Sequence, residues 1–184
     1  MMEAVFLEGK KVILRAMEAA DITGEYLVWI NSQQADEYTE HAIFPNNVLD
    51  LERFFDNLRT NKNILHLAIV EKASGRHIGN ISLQNINWIS RRAEFAILIG
   101  VSDSQGKGLG YEASSLIIDH GFSRLNLNRL SLGVNASNSK ALALYLKLGF
   151  VEEGRLRQHF FRNGVAEDLK TMGLLAEEWS SSLV

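Results

Sequence analysis

The chain has no cysteine and a single proline, Pro45, among 184 residues. Without cysteine there can be neither a disulfide framework nor a thiolate metal site, and the absence fits a reducing compartment. Basic charge is not in excess either: 19 Lys and Arg stand against 22 Asp and Glu, a formal net charge of −3. Nucleic-acid binders carry a basic face, whereas the local basic dipeptides here are Lys10-Lys11 and Arg91-Arg92. A weakly acidic chain is compatible with a cationic substrate such as an amine. No stretch approaches the ~20 apolar residues that span a bilayer, and Met1 to Lys10 has no apolar targeting core or cleavage pattern. The five histidines show no H-E-x-x-H spacing, so no metal is expected. These absences lead us to expect a cytoplasmic protein with no membrane or nucleic-acid partner.

What is present is ordinary globular material. Apolar residues make up 46%, and a chain of this size can bury roughly 70% of its unfolded surface. We expect one domain over residues 1–184, with a core from about 11 to 175. Lys11–Arg15 reads as a strand, Glu18 to Ile30 as a helix with Tyr26, Trp29 and Ile30 at helical spacing, and Thr39–Asn47 as a loop. A second helix covers Leu49–Arg59, with Asp50 as its expected N-cap. Strands follow at Ile64–Glu71, Arg76–Asn87 and Arg92–Ile99, then a helix at Gly108–Leu125, a strand at Arg129–Val134 and a helix at Ser139–Leu148. Phe150–Glu153, Leu156–Phe161 and Val165–Leu174 read as three more strands. The pattern predicts an α+β (mixed α/β) domain around one mostly antiparallel sheet.

The strand-to-helix junction carries the chemistry. Gln105-Gly106-Lys107-Gly108-Leu109-Gly110 sets three glycines before a helix, where backbone N–H groups and the positive helix end can hold a phosphate. A nucleoside-triphosphate loop requires Gly-x-x-x-x-Gly-Lys-Ser/Thr, and both the spacing and the Ser/Thr are missing. Gly108 to Ala113 fits the dinucleotide pattern G-x-G-x-x-A, but that fold wants an acidic residue ~20 positions on. Here Leu132-Gly133-Val134-Asn135 offers none. The remaining reading is the Gln/Arg-x-x-Gly-x-Gly/Ala loop of acyl-coenzyme A users, matched at every fixed position.

Downstream, Asn138, Ala141, Tyr145, Gly149 and Phe150 are spaced as Asn, Ala three residues on, then Tyr-x-x-x-Gly-Phe. With the glycine loop, this resembles the GCN5-related N-acetyltransferase (GNAT) family from about Val12 to Leu174. Within it, Arg92-Ala93-Glu94-Phe95 and His159 to Gly164 look like the branch of ribosomal-protein N-terminal, spermidine and amino-sugar acetyltransferases. The resemblance implies a GNAT-like sheet splayed at an acetyl-CoA site. Gln105, Gly106, Lys107, Gly108, Leu109 and Gly110 would hold the pyrophosphate. Ile97, Leu98 and Ile99 would meet the pantetheine arm, and Asn138 and Tyr145 would contact the coenzyme. The implied activity is transfer of an acetyl group to a primary amine by direct attack on the thioester. A non-catalytic acyl-CoA-binding or sensing module is the alternative.

Two side chains are assigned catalytic roles by this reading. Tyr145 would be the general acid toward the leaving sulfur, although its helix position also suits a core aromatic. Glu94 shares a strand face with Ala96 and Leu98 and is the candidate base, directly or through water, with an ion pair to Arg92 or Arg76 as its other reading. An alkylamine of pKa ~10.4 costs about 4–5 kcal/mol to deprotonate at neutral pH, whereas a peptide α-amine near ~8 costs about 1 kcal/mol. A strong need for Glu94 would therefore indicate a polyamine or lysine-like acceptor. Asn138 is read as helix N-cap, coenzyme contact or both. His120 is read as a core or interface histidine and the cluster Tyr26, Trp29, Phe54 and Phe55 as core, while His159 is a candidate for the substrate side. By resemblance, the N-terminal helices shape the acceptor pocket, so Glu37, Tyr38, Glu40 and His41 are acceptor-side candidates. The acceptor stays open between an amino sugar nucleotide, a polyamine and a protein N-terminus, and a homodimer is implied by resemblance only.

Overall fold

The computed structural model describes residues 5–32 and 43–180. Eight strands form one sheet in the order β1-β2-β3-β4-β5-β6-β8-β7. They are β1 (Val5–Glu8), β2 (Val12–Ala16), β3 (Leu65–Glu71), β4 (Arg76–Asn87), β5 (Arg92–Ile99), β6 (Arg129–Asn135), β7 (Val151–Arg162) and β8 (Val165–Leu175). Every pairing is antiparallel except β5 with β6. Among the described residues five helices flank it: α1 (Ala19–Ile22), α2 (Glu25–Asn31), α3 (Val48–Thr60), α4 (Leu109–Ser123) and α5 (Ser139–Lys147). The expected α+β architecture and sheet are therefore observed.

The two faces of the sheet differ in chemistry because the strands alternate with period 2. One face carries Leu83, Phe95 and Leu130 and is covered by α4. There a methyl added at Gly121 would come within 2.9 Å of Leu83, and Ile117, Ile118 and Leu127 are buried. Burial of each such side chain contributes about 1.5–3 kcal/mol. The other face carries Arg15, His66, Asn80, Ser82 and Glu94 and lies partly under α1–α3. Arg15 on β2 donates to both oxygens of Asp21 on α1 at 2.7 and 2.9 Å. Asp21 also accepts the Glu18 N–H at 2.7 Å, which closes the first turn of α1. Phe54 of α3 meets His66 edge-on at 5.2 Å, and Trp29 of α2 meets His77 at 5.0 Å.

Three local expectations need correction, and one strand falls outside them. The helix expected from Glu18 to Ile30 is broken at Thr23-Gly24 into α1 and α2. Asn47, not Asp50, caps α3: its side chain accepts from the N–H groups of Leu49 and Asp50, while the Asp50 carboxylate accepts from the N–H of Asn47, a reciprocal box. The two strands expected between Phe150 and Phe161 are one strand, β7, bent by irregularities between Glu152 and Gly154 and between Leu156 and Phe160. β1 had no counterpart in the sequence reading.

Candidate active site

β5 runs into a single 3-10 turn at Ser102–Ser104 and then into the glycine loop. The Gln105 amide donates back to the carbonyl of Ile99 at 3.4 Å, which ties the loop to the strand end. Gly106 and Gly108 stand at φ +75° and +80°, the left-handed region that glycine reaches without strain. Gly108 is the N-cap of α4 and supplies no side-chain acceptor, so the N–H groups of the first turn remain for a ligand. A methyl built on Gly106 would meet nothing within 4 Å, so the loop is open to an approaching anion.

Charge gathers here from distant parts of the sequence. Lys11 Nζ donates to the Lys107 carbonyl at 3.1 Å, and Glu112 of α4 accepts the Lys11 N–H at 2.8 Å. The β1–β2 turn is thereby fastened to the start of α4. Lys10, Lys11, Lys72 and Lys107 line a cavity of about 500 Å³ with Leu109. Of these, the sequence marks Lys107 for the site; the other three lie 35 or more positions from Lys107, and only the fold brings them to it.

β5 and β6 pair over three residues only: Arg92 with Arg129, Ala93 with Leu130 and Glu94 with Ser131. From Phe95 to Ile99, β5 keeps β4 on one side, Phe95 opposite Leu83 through Ile99 opposite Gly79, and among the described residues it has no strand on the other. β6 continues beside β8 as far as Asn135. The strands part into a notch with Ile97, Leu98 and Ile99 on its edge. A methyl on Gly110 would lie 3.7, 3.8 and 4.0 Å from Ile99, Ile97 and Leu144. The glycine loop, the open edge of β5 and helix α5 thus converge. An unpaired main-chain edge gains hydrogen bonds from an extended ligand laid along it, so the residues fit the diphosphate and amide arm of a coenzyme A.

Tyr145 and Glu94 flank the point where the strands part, from opposite faces. Tyr145 on α5 is buried at 8% exposure and sits edge-on to Phe95 at 6.1 Å and Phe150 at 6.0 Å. It is therefore a core aromatic as well as a notch residue. Burial pushes its pKa from 10 to about 12, and among the described residues nothing hydrogen-bonds its hydroxyl. Asn138 caps α5 by accepting the Ala141 N–H at 3.0 Å. Glu94 is exposed and accepts from Asn85 at 3.0 Å. Neither arginine considered as its ion-pair partner takes that place among the described residues, and Arg76 pairs with Glu25 instead. Glu94 lines a cavity of about 410 Å³ together with Gln84, Ala96, Arg129, Ser131 and Thr171. Arg129 binds Glu153 there with both terminal nitrogens.

The remaining candidates divide. Tyr26 and Trp29 are buried core residues, and Phe54 and Phe55 pack against that core. His120 lies edge-on to Phe6 at 4.9 Å, with its pKa lowered chiefly by burial. His159 contacts Phe160 at 5.0 Å. Glu37, Tyr38, Glu40 and His41 lie outside the described residues. The stretch Gly79-Asn80-Ile81-Ser82-Leu83 resembles amino-sugar and polyamine members of the family as much as ribosomal ones, but the sequence assigns Asn80, Ser82 and Gln84 on β4 no site role, although their alternation with Ile81 and Leu83 is visible.

Comparison with known proteins supplies the context. Residues 11–151 match the family described as "Acetyltransferase (GNAT) domain". A spermidine N(1)-acetyltransferase of Vibrio cholerae is 38% identical over 130 residues, 71% of this chain and 74% of that one. The Escherichia coli spermidine N(1)-acetyltransferase is 46% identical over 95 residues, about half of each chain. The crystal structure of a Vibrio cholerae spermidine N-acetyltransferase in complex with CoA and spermine superimposes with a TM-score of 0.83 at 31% identity, covering 92% of this chain and 98% of that one. Nothing in these likenesses supports the non-catalytic alternative. The three-residue seam, the open glycine loop and the family match together place the chain in the GNAT acetyltransferase family, as an acetyl-CoA-dependent N-acetyltransferase.

Proposed function

We propose that the notch between β5 and β6 is the catalytic centre and that a primary amine enters it from the Glu94 side. The observation that carries this reading is the parting of β5 from β6 immediately after Glu94, beside a glycine loop whose helix has no side-chain cap. Gln105–Gly110 holds the diphosphate through main-chain N–H groups, with Lys107 and its neighbouring lysines adding charge. Ile97, Leu98 and Ile99 offer main-chain partners to the pantetheine amides, and the Asn138 amide, fixed by its capping bond, borders the coenzyme. Acetyl-CoA supplies an acetyl group already activated as a thioester.

The chain's own groups manage charge and protons. The amine nitrogen bonds to the acetyl carbon, the carbon–sulfur bond breaks and the sulfur leaves as a thiolate. A main-chain N–H at Leu98 or Ile99 faces the oxygen that becomes negative. Glu94 takes the amine proton, directly or through water, with one oxygen oriented by Asn85. Tyr145 faces the departing sulfur. With its pKa raised to about 12, complete proton transfer to a thiolate of pKa ~8.5 would be uphill by about 5 kcal/mol. Tyr145 therefore acts as a hydrogen-bond donor to the growing negative charge, a narrower role than the general acid read from the sequence.

The core from about 11 to 175 acts as one catalytic domain, and the lack of cysteine supports a cytoplasmic setting. Self-association belongs to the same reading, supported by a dodecameric structure of Vibrio cholerae spermidine N-acetyltransferase, which favours an oligomer without fixing it at two copies. The spermidine enzymes among the relatives make a polyamine the acceptor against which others are compared. The test is Glu94→Gln, with thiol release measured for an alkylamine and for a peptide α-amine. The alkylamine should lose about tenfold more rate, because its proton is harder to remove; equal losses would overturn the role given to Glu94.

A further inference from the structure

The sheet face beneath α1–α3 holds polar groups that the fold leaves unused. Ser82 lies opposite His66 on β3 and Ala96 on β5, and Asn80 lies opposite Ala68 and Leu98. His66, Asn80 and Ser82 are thus close neighbours on one face, with Cβ atoms within roughly 5–8 Å of one another. Asn80 and Ser82 are 4% and 5% exposed. Asn80 Oδ1 meets His77 Nε2 at 2.9 Å, but Asn80 Nδ2 and His66 Nε2 are buried without a hydrogen-bond partner. The Ser82 hydroxyl makes no hydrogen bond among the described residues. Buried polar atoms are almost always paired, so unpaired ones gathered on one patch indicate that the partner is a ligand.

The patch also has a route to the reaction. Along β4 the row continues from Ser82 to Gln84, and Gln84 sits opposite Glu94. Gln84, Glu94 and Ala96 all line the 410 Å³ cavity, and Leu98 beside Asn80 is on the notch edge. The cavity wall ends on this side at Gln84 and Ala96, and Ser82, opposite Ala96, is the next polar residue along β4 for a molecule with its nitrogen at Glu94.

The chemistry of the patch is neutral. It offers an amide, a hydroxyl and an imidazole that burial, reinforced by His77, pushes down to about 4, so His66 stays uncharged at neutral pH. The carboxylate on this side, Asp21, is already held by both Arg15 nitrogens and by His77 at 3.2 Å. Among the described residues, Asp21 is therefore not free to pair with a second ammonium group. We propose that His66, Asn80 and Ser82 form an acceptor subsite for an uncharged carbonyl or hydroxyl carried close to the attacking amine, favouring a peptide α-amine or an amino sugar over a linear polyamine. This rests on the catalytic reading of the notch given above.

The test measures kcat/KM with acetyl-CoA for a tetrapeptide amide, a nucleotide-linked 2-amino sugar and spermidine, in the wild type and in Ser82→Ala and Asn80→Ala. Wild type should prefer either the peptide or the amino sugar over spermidine by tenfold or more, and the preferred arm identifies the source of the polar group. Each variant should lower kcat/KM for that amine by about 10–100-fold, since a site built to hydrogen-bond a group loses heavily when the bond is removed. The residual spermidine rate should change by less than about threefold. Ser82→Ala removes a hydroxyl that makes no bond, so it should fold with an unchanged or higher Tm and keeps the test valid if Asn80→Ala does not fold. A wild-type preference for spermidine, or equal losses for all three amines, overturns the subsite. Turnover of none of them with acetyl-CoA affinity intact by calorimetry overturns the subsite alone; loss of that affinity as well overturns the notch reading.

Discussion

Replacing Tyr145 by phenylalanine removes one oxygen from a ring otherwise held by Phe95 and Phe150. Those ring contacts survive, and among the described residues the hydroxyl has no hydrogen-bond partner to lose. The Tm should therefore stay within a few degrees of wild type. The rate should not. A hydrogen bond to a charged group contributes about 1.5–3 kcal/mol, which corresponds to roughly 10–150-fold in kcat. The upper part of the general-acid range, near ~10⁴, is out of reach for a phenol raised to about 12. The assay is thiol release at saturating acetyl-CoA and amine, with acetyl-CoA affinity measured separately by calorimetry. We expect kcat to fall by about 10²-fold with affinity changed by less than about threefold. Because the phenol holds its proton until about pH 12, wild type should also show no loss of rate from Tyr145 ionisation below about pH 11. A kcat within twofold of wild type, or a loss that appears wholly in coenzyme affinity, would refute the hydrogen-bond role.

Two further perturbations probe the scaffold of the site. Gly108→Ala places a side chain at φ +80°, a strain of about 1–2 kcal/mol; thermal melting should register the loss, and calorimetry should show weaker acetyl-CoA binding because the loop that offers its N–H groups is displaced. Arg15→Met leaves the Asp21 carboxylate buried without its bidentate partner and should cost about 3–5 kcal/mol in denaturant unfolding. Burial alone would raise the Asp21 pKa, but the bonds from Arg15 and the Glu18 N–H and the nearby His77 outweigh it and hold it below 3.8. Its stabilisation is accordingly present above about pH 3.8 and fades as the pH falls through the lower folded value. The stability gap between wild type and Arg15→Met should narrow in acid, and a gap constant down to pH 2 would contradict the assignment.

The element ends that border the notch were legible in local chemistry, whereas the parting of the strands was implied only by the family resemblance. β5 ends at Ile99, where the sequence placed it, because a β-branched run gives way to glycines that only a turn can use. Tyr145 and Asn138 fell on α5 because the capping asparagine and Gly149 mark both ends of that helix. The errors arose where a long-range partner decided the outcome. Asn47 and Asp50 are both acceptable caps, and only the loop's entry angle selects between them. Asn80 and Ser82 alternate with Ile81 and Leu83, which reads as an ordinary solvated face. Nothing local announces that α1–α3 will lie across that face and turn it inward. The lysines around Lys107 are separated in sequence by most of the sheet, so their gathering at the loop is a property of topology alone.

The join between β5 and β6 has a mechanical meaning beyond chemistry. Five strands stand on one side of it and three on the other, and among the described residues the ladder between the two slabs is three residue pairs long, extended at one end by main-chain bonds from Asn128 and Arg129 to the Arg91 carbonyl. A coenzyme arm lying in the gap would serve as a removable strand that completes the sheet. Stiffness and turnover would then be linked: the molecule would be most rigid while loaded, and each release of spent coenzyme would reopen its own seam.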